Sequence, residues 1–303
     1  MLMRIVLFGQ AAFGKDVFEA LRAAGEKIVG VSTPRPGTRP DPLFEAASIA
    51  RVTVIETPAL RQDGPFEQFL ALKPDLLVFA FVTDIVRKRV LDAAPLGAIQ
   101  FHPSLLPEHR GRTAMNWAII SGAKQTGITI FWVDEGIDTG PILLQRAVDI
   151  DQAASVGTLY YEQLAPMGVE ALVEATRLVR EGEAPRIPQN HALATYEPPC
   201  GPEHAKVDWM LHSRVVANLI RGCDQQPGAI ANLRGEPIRI FEADLRPGAP
   251  DEPPGTVMAI VDQRAEVAAI GGTIIIGRAQ RGAGPKVDAG ELLMVGDVLE
   301  RPL

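Results

Sequence analysis

Short apolar runs and amphipathic stretches alternate along the first half of the chain. Arg4 to Phe8 is an apolar run closed by Gly9, and Val17, Phe18 and Leu21 follow Phe13-Gly14 at helical spacing, which predicts strand, turn and helix. Ile28 to Ser32 reads as a second strand, broken off by Pro34-Arg35-Pro36-Gly37. Val52 to Ile55, Leu76 to Phe81, Ala98 to Phe101 and Thr129 to Val133 are further strand-like runs, with amphipathic segments between most of them. Strands covered on both faces read as continuous apolar runs, so the alternation predicts an α/β fold on a doubly wound, mostly parallel sheet. Ala114 to Ser121 is expected as a helix and Pro141 to Ile150 as a strand. Thr158 to Glu181 is expected as a long helix interrupted near Pro166, its apolar stripe serving as core rather than as a partner surface.

The pattern changes after Gly182. Pro185, Pro188, Pro198 and Pro199 gather before Gly201 and read as a linker or a strap. Asp208 is the expected N-cap of a helix through Val215, Val216, Leu219 and Ile220, ending near Gly222. Beyond Pro227-Gly228, the runs Ile238 to Phe241, Val257 to Val261, Val267 to Ile270 and Thr273 to Ile276 are separated by Gly and Pro clusters, which predicts a small β-barrel. The expected division is a domain over residues 1–182, a linker over 183–205 and a smaller C-terminal β-barrel domain over 206–303.

One stretch carries candidate chemistry. Gly97-Ala98-Ile99 leads into Gln100-Phe101-His102-Pro103-Ser104-Leu105-Leu106-Pro107-Glu108-His109-Arg110-Gly111. Side chains alternate along a strand, so Gln100 and His102 share one face and Phe101 takes the other. Pro103 and Pro107 force the chain out of the sheet, which puts His102 at a strand's carboxyl end. Open α/β sheets bind small ligands at those ends, and a histidine there titrates near neutral pH. The plainer reading is a hydrogen-bonded structural histidine. A metal reading of His102 with His109 fails, because seven residues and a proline separate them without a helical register. Gly9 and Gly14 lack the intervening glycine of a dinucleotide fingerprint and are read as turn and packing residues, so neither metal nor NAD is expected.

Composition narrows the function classes. The 303 residues are enough for two domains, and 47% hydrophobic with 22% charged residues is ordinary for a globular protein. A net charge of −7 argues against a nucleic-acid surface or an anionic membrane. Cys200 and Cys223 form no CxxC pair, which favours a reducing compartment, the cytoplasm, over a disulfide framework. The longest apolar run, Leu76 to Val82, is too short to span a bilayer.

The run HPSLLPEHRG, then Asn116-Trp117, then Phe131-Trp132-Val133-Asp134-Glu135-Gly136-Ile137-Asp138-Thr139-Gly140, resembles the formyltransferase family that uses 10-formyltetrahydrofolate. The likeness is greatest to the amino-terminal hydrolase region of the 10-formyltetrahydrofolate dehydrogenases, from Gly9-Gln10 to about Gly228. It implies a Rossmann-like formyltransferase fold with a folate pocket. It implies His102 as the group that deprotonates the acceptor or holds a proton against the oxyanion, Asp138 as its partner, and Gln100 beside them. Asp138 is 36 residues after His102, as the family spacing requires, while Asp134 and Glu135 stand close enough to compete. Folate contacts are implied at Asp84, Ile85 and Val86, for which packing in a helix is the plain alternative, and at Ser104, Leu105, Leu106 and Pro107. Gln100 departs from the transferases, which carry Asn there, and from the hydrolase region, which carries an apolar residue.

The expected reaction is hydrolysis of 10-formyltetrahydrofolate to tetrahydrofolate and formate; the alternative is formyl transfer to an amine of a sugar nucleotide or of methionyl-tRNA. Residues 200–303 carry 11 Lys plus Arg against 14 Asp plus Glu, which argues against the transfer-RNA version. A folate-binding protein without turnover is a third class, against which both His102 and Asp138 count. The dehydrogenase reaction would need a separate aldehyde-dehydrogenase partner, because no Asp-Ser-Leu carrier site is present.

Overall fold

In the computed structural model, residues 3–35, 37 and 39–302 are described; Pro36, inside the expected break after the second strand, lies outside them. The chain forms two compact units: Met1–Arg110 with Gly127–Ala147 and Leu164–Thr195, and Gly111–Thr126 with Val148–Gln163 and Tyr196–Leu303. The proline-rich segment 183–205 is divided between them, its first part packing in the first unit and its last in the second.

The chain opens with β1 (Arg4–Gly9), α1 (Ala11–Ala23), β2 (Lys27–Thr33), α2 (Pro42–Ile49), β3 (Thr53–Glu56), α3 (Asp63–Ala71), β4 (Leu76–Ala80), α4 (Lys88–Leu91) and β5 (Ala98–His102). After α5 (Ala114–Ile120) come β6 (Gln125–Trp132) and β7 (Ile142–Asp149). The sheet order is β3-β2-β1-β4-β5-β6-β7. β1 to β5 are parallel and β6 runs antiparallel to β5, so the sheet is the parallel-dominated one that the apolar runs predicted, Rossmann-like as the resemblance implied. The chain reverses sides between β1 and β4, and that is where such sheets open a crevice for ligands. All five residues of β4 are buried, as a central strand requires. Phe81, expected as its last residue, instead turns out of the sheet with φ 58°.

Gly9 and Gly14 pack against each other beside β4. A Cβ on Gly9 would lie 2.6 Å from the Ala80 carbonyl oxygen, and the Leu43 side chain fills the space above both glycines. Asp41 holds this corner: one carboxylate oxygen accepts the Ala11 N–H at 2.7 Å and the other caps α2 through Leu43 N–H at 2.9 Å.

The long helix expected from Thr158 is three pieces. A single turn, α6 (Val156–Thr158), is capped by Ser155; a widened π segment follows over Leu159–Leu164, and α7 (Ala165–Glu181) ends at Gly182 with φ 74°. Pro166 has no N–H and its ring crowds the carbonyl one turn back, so the regular ladder cannot run through this point.

The second unit holds α5, α6, α8 (Ser213–Gly222) and an antiparallel sheet of β8 (Ala229–Leu233), β9 (Glu236–Pro247), β10 (Val257–Val261), β11 (Arg264–Ala269), β12 (Gly272–Arg281), β13 (Lys286–Asp288) and β14 (Leu299–Glu300). The order β10-β11-β12-β9-β8-β14 curls until its ends meet: Thr256 bridges Val298, and the Leu299 N–H donates to the Gly255 carbonyl at 2.8 Å. Val216, Ile220, Ile238, Ile240, Ile274 and Ile276 fill the interior. The helix starts four residues later than expected. His212, not Asp208, caps it by accepting the Arg214 N–H, and the Asp208 carboxylate instead takes Met210 N–H and the Arg301 guanidinium. Cys200 and Cys223 are free thiols with their sulfurs 3.9 Å apart. Among the described residues no helix is long and apolar enough to cross a membrane.

Candidate active site

β5 places its side chains as strand alternation demands. Phe101 turns to one face, where its ring meets Phe13 of α1 at 4.6 Å and closes over Gly168 of α7. Gln100 and His102 take the other face. His102 is the last residue of the strand and only 4% exposed; Gln100 is half-buried and its side chain makes no hydrogen bond within the protein among the described residues.

The ring of His102 meets a polar group at each nitrogen. Nε2 lies 2.9 Å from the backbone carbonyl oxygen of His109, and Nδ1 lies 3.5 Å from Oδ2 of Asp138. A carbonyl only accepts, so Nε2 carries the proton. The neutral imidazole then presents the Nδ1 lone pair to the Asp138 carboxylate, two bases facing one position that favours a proton. Burial is the main influence on His102 and pushes its pKa below the ordinary 6.5; the Asp138 charge opposes that push without overcoming it. The neutral ring is therefore the resting form at neutral pH.

Asp138 is 9% exposed and sits at φ 54° in the loop between β6 and β7, which folds back over β5. Its two competitors are engaged elsewhere. Asp134 accepts from Gly136 N–H at 3.0 Å and the Thr139 hydroxyl at 2.6 Å, closing the loop on itself. Glu135 is exposed and faces Lys88 at 3.9 Å. Of the three acids, Asp138 is the one beside the imidazole.

The loop after His102 is tied down by groups without an obvious sequence signature. The Thr129 hydroxyl, on β6 across from His102, donates to the Ser104 carbonyl at 2.7 Å and accepts the Leu106 N–H at 3.1 Å. Gln145 Nε2 donates to the Leu106 carbonyl at 2.8 Å and to the same hydroxyl at 2.9 Å. The Ser104 hydroxyl is itself used inside the loop, donating to the Glu108 carbonyl at 2.6 Å. Leu106 is buried, while Leu105 and Pro107 are half-buried.

Asp84, Ile85 and Val86 follow the carboxyl end of β4, but in an irregular segment ahead of α4 rather than in a helix. Ile85 is 83% exposed, an unusual placement for so apolar a residue, whereas Val86 packs on the core and lines a small cavity with Leu60 and Val90. Across the switch point, Thr83 Oγ1 donates to Gln10 Oε1 at 3.4 Å, linking the ends of β1 and β4. The structure thus brings Gln100, His102, Asp138 and the 104–107 loop together. The 84–86 segment lines the carboxyl edge of the same sheet.

Residues 3–176 match the formyl transferase family and residues 200–295 match the formyl transferase C-terminal domain. The mitochondrial 10-formyltetrahydrofolate dehydrogenase of Homo sapiens is 38% identical over 85% of this chain, which spans 28% of that protein's length. The methionyl-tRNA formyltransferase of Pelobacter propionicus is 34% identical over 95% of this chain and 92% of its own. Among solved structures, HypX from Aquifex aeolicus in complex with tetrahydrofolic acid shares the fold with a TM-score of 0.70 at 22% identity, over 95% of this chain and 46% of that one.

Proposed function

Because this chain belongs to the formyl transferase family, we propose that it takes the formyl group of 10-formyltetrahydrofolate and passes it to water, releasing tetrahydrofolate and formate. The observation that carries this reading is the fixed tautomer of His102, which, on the strand that also carries Gln100, turns a basic nitrogen toward Asp138. In this reading water attacks the formyl carbon and gives its proton to the His102/Asp138 pair. The electrons of the C=O bond move to oxygen, where the Gln100 amide donates a hydrogen bond. The proton then passes to the folate N10 nitrogen as the C–N bond breaks, leaving tetrahydrofolate and formic acid, which ionises. Asp84, Ile85 and Val86 with Ser104 to Pro107 form the folate walls, chiefly through apolar surface and backbone groups. Neither metal nor NAD has a part in these steps, and the cytoplasm is the proposed setting for an enzyme with two free thiols.

Amine transfer is the second reading, supported by the match to a methionyl-tRNA formyltransferase along nearly the full length of both chains. The likeness to dehydrogenases much longer than this chain supports a further part of the proposal, a separate aldehyde-dehydrogenase partner that consumes the formyl group. The deciding experiment follows tetrahydrofolate and formate from 10-formyltetrahydrofolate, without metal or NAD(P), with and without methionyl-tRNA and an amino-sugar nucleotide. Equal formation of both products in every arm is expected. Turnover that waits for an amine overturns hydrolysis in favour of transfer.

A further inference from the structure

We propose that Gln189 is the positioning residue that sets the separation of the His102 imidazole and the Asp138 carboxylate, by tying the Asp138 turn to the Arg110 end of the histidine loop. Gln189 lies in the segment after α7, in the same compact unit as the site, and is 6% exposed. Both ends of its amide are used. Nε2 donates to the Asp138 carbonyl at 2.9 Å and to the Gly140 carbonyl at 2.7 Å. Oε1 accepts from Arg110, at 3.2 Å from Nε and 2.6 Å from Nη2. Two acceptors on one side and a guanidinium on the other allow only this orientation of the amide, so it has one seated position.

Each group that Gln189 holds leads directly to a catalytic one. Asp138 is left-handed at φ 54°, a conformation that a residue with a Cβ keeps only when its surroundings impose it. Gly140, two residues on, lies so close to β6 that a Cβ would fall 1.7 Å from the Trp132 carbonyl oxygen. The turn is therefore pressed against β6 on one side and held by the Gln189 amide on the other. At the opposite end, the Arg110 N–H donates to the Thr195 carbonyl at 3.0 Å. The preceding residue, His109, supplies the carbonyl that holds His102 Nε2. The path from the Asp138 backbone through Gln189, Arg110 and His109 to the His102 ring closes on itself at the 3.5 Å contact between Nδ1 and Oδ2. The sequence offered no sign of this, because Gln189 follows a proline in a stretch that reads as a strap.

The role rests on the formyl-transfer reading of the site, and its test has an arm that does not. The charged and titratable groups facing His102 are Asp138, His109 and Arg110. Among these Asp138 raises the proton affinity of the ring, so a wider gap lowers it. Gln189→Met keeps the volume and removes every polar contact; Gln189→Glu keeps an acceptor for Arg110 and loses both donors to the Asp138 turn. For both variants kcat is expected to fall about 10- to 100-fold, the scale of a misplacement near 1 Å, with KM for the folate within about twofold. For Gln189→Met the acid limb of the rate profile is expected to move to lower pH. Independently of any substrate, an NMR titration of the His102 imidazole is expected to show a lower pKa in Gln189→Met than in the parent protein, whereas Gln189→Glu adds a carboxylate against Arg110 that opposes the shift and is read through kcat. If the parent releases no formate without an amine, hydrolysis fails while the imidazole titration still decides the role of Gln189. An unchanged titration in Gln189→Met with native near-ultraviolet circular dichroism overturns the proposal, as does a Gln189→Glu enzyme with parental kcat. Should Gln189→Met not fold, Gln189→Leu, also uncharged, carries the titration, and Gln189→Glu, which keeps the Arg110 pair, carries the kcat readout.

Discussion

A backbone carbonyl decides protonation at this site, because His109 accepts from Nε2 of His102 and leaves Nδ1 as the base. Burial holds the imidazole pKa below 6.5, so the ring stays neutral, and competent as a base, into mildly acid solution. The acid limb of kcat/KM is expected below pH 6.5, where an exposed histidine would already be failing; a midpoint above 6.5 in a rate profile would count against the burial argument. The same shift has a stability sign. A histidine whose folded pKa is depressed contributes fully above its unfolded pKa, and the contribution is lost as pH falls from 6.5 toward the folded value, so Tm is expected to drop across that window and to drop less in His102→Gln. Asp138→Asn removes a charge needed when the proton arrives, so kcat is expected to fall far more than KM rises; a large rise in KM at parental kcat would mark Asp138 as a binding residue. Gln100 allows a finer test. Gln100→Ala is expected to cost on the order of 3 kcal/mol, roughly a hundredfold in kcat, through loss of a transition-state hydrogen bond. Gln100→Leu, apolar as in the hydrolase relatives, is expected to retain part of the hydrolysis; a Leu variant as inactive as His102→Ala with its fold intact would favour amine transfer.

At the scale of elements, the catalytic face of β5 depends on its opposite face. Phe101 is wedged between Phe13 of α1 and Gly168 of α7, and a Cβ at Gly168 would lie 2.4 Å from the Phe101 ring. Replacing a mid-helix glycine with alanine favours the helix by about 1 kcal/mol, whereas overpacking a tight core costs about 1–3 kcal/mol. The second effect is expected to win. Gly168→Ala should lower Tm by a few degrees in a calorimetric scan and reduce kcat as the strand carrying His102 shifts; a Tm at or above the parental value would show that the ring moves aside freely. β1 and β4 of the first unit were readable because each is a buried apolar run. The start of α8 was not, since Asp208 has every property of an N-cap and is drawn off by Met210 and Arg301, a partner 93 residues away. β8 also escaped notice, because its buried positions are two alanines and a leucine, too weak an alternation to stand out beside turn residues.

At the scale of the whole molecule, the charge balance bears on the choice of acceptor. A net charge of −7 and a C-terminal region in which acids outnumber bases do not favour the gathering of a polyanion. Added bulk tRNA is expected to leave formate release unchanged at low salt as well as at physiological salt; binding in a filter assay with a steep salt dependence would revive the transfer-RNA reading. The sequence by itself determined the α/β class, the curled β-sheet of the C-terminal region, and the placement of Gln100 and His102 on one face of a strand end. Those properties follow from local rules: apolar periodicity, alternation along a strand, and the inability of proline to continue a sheet. The tertiary structure alone decided which of Asp134, Glu135 and Asp138 meets the imidazole, which ring nitrogen holds the proton, and that Thr129, Gln145 and Gln189 tie the loops around them. Each of those depends on a polar group meeting a partner brought from far along the chain, and a hydrogen bond between distant residues leaves no periodicity behind.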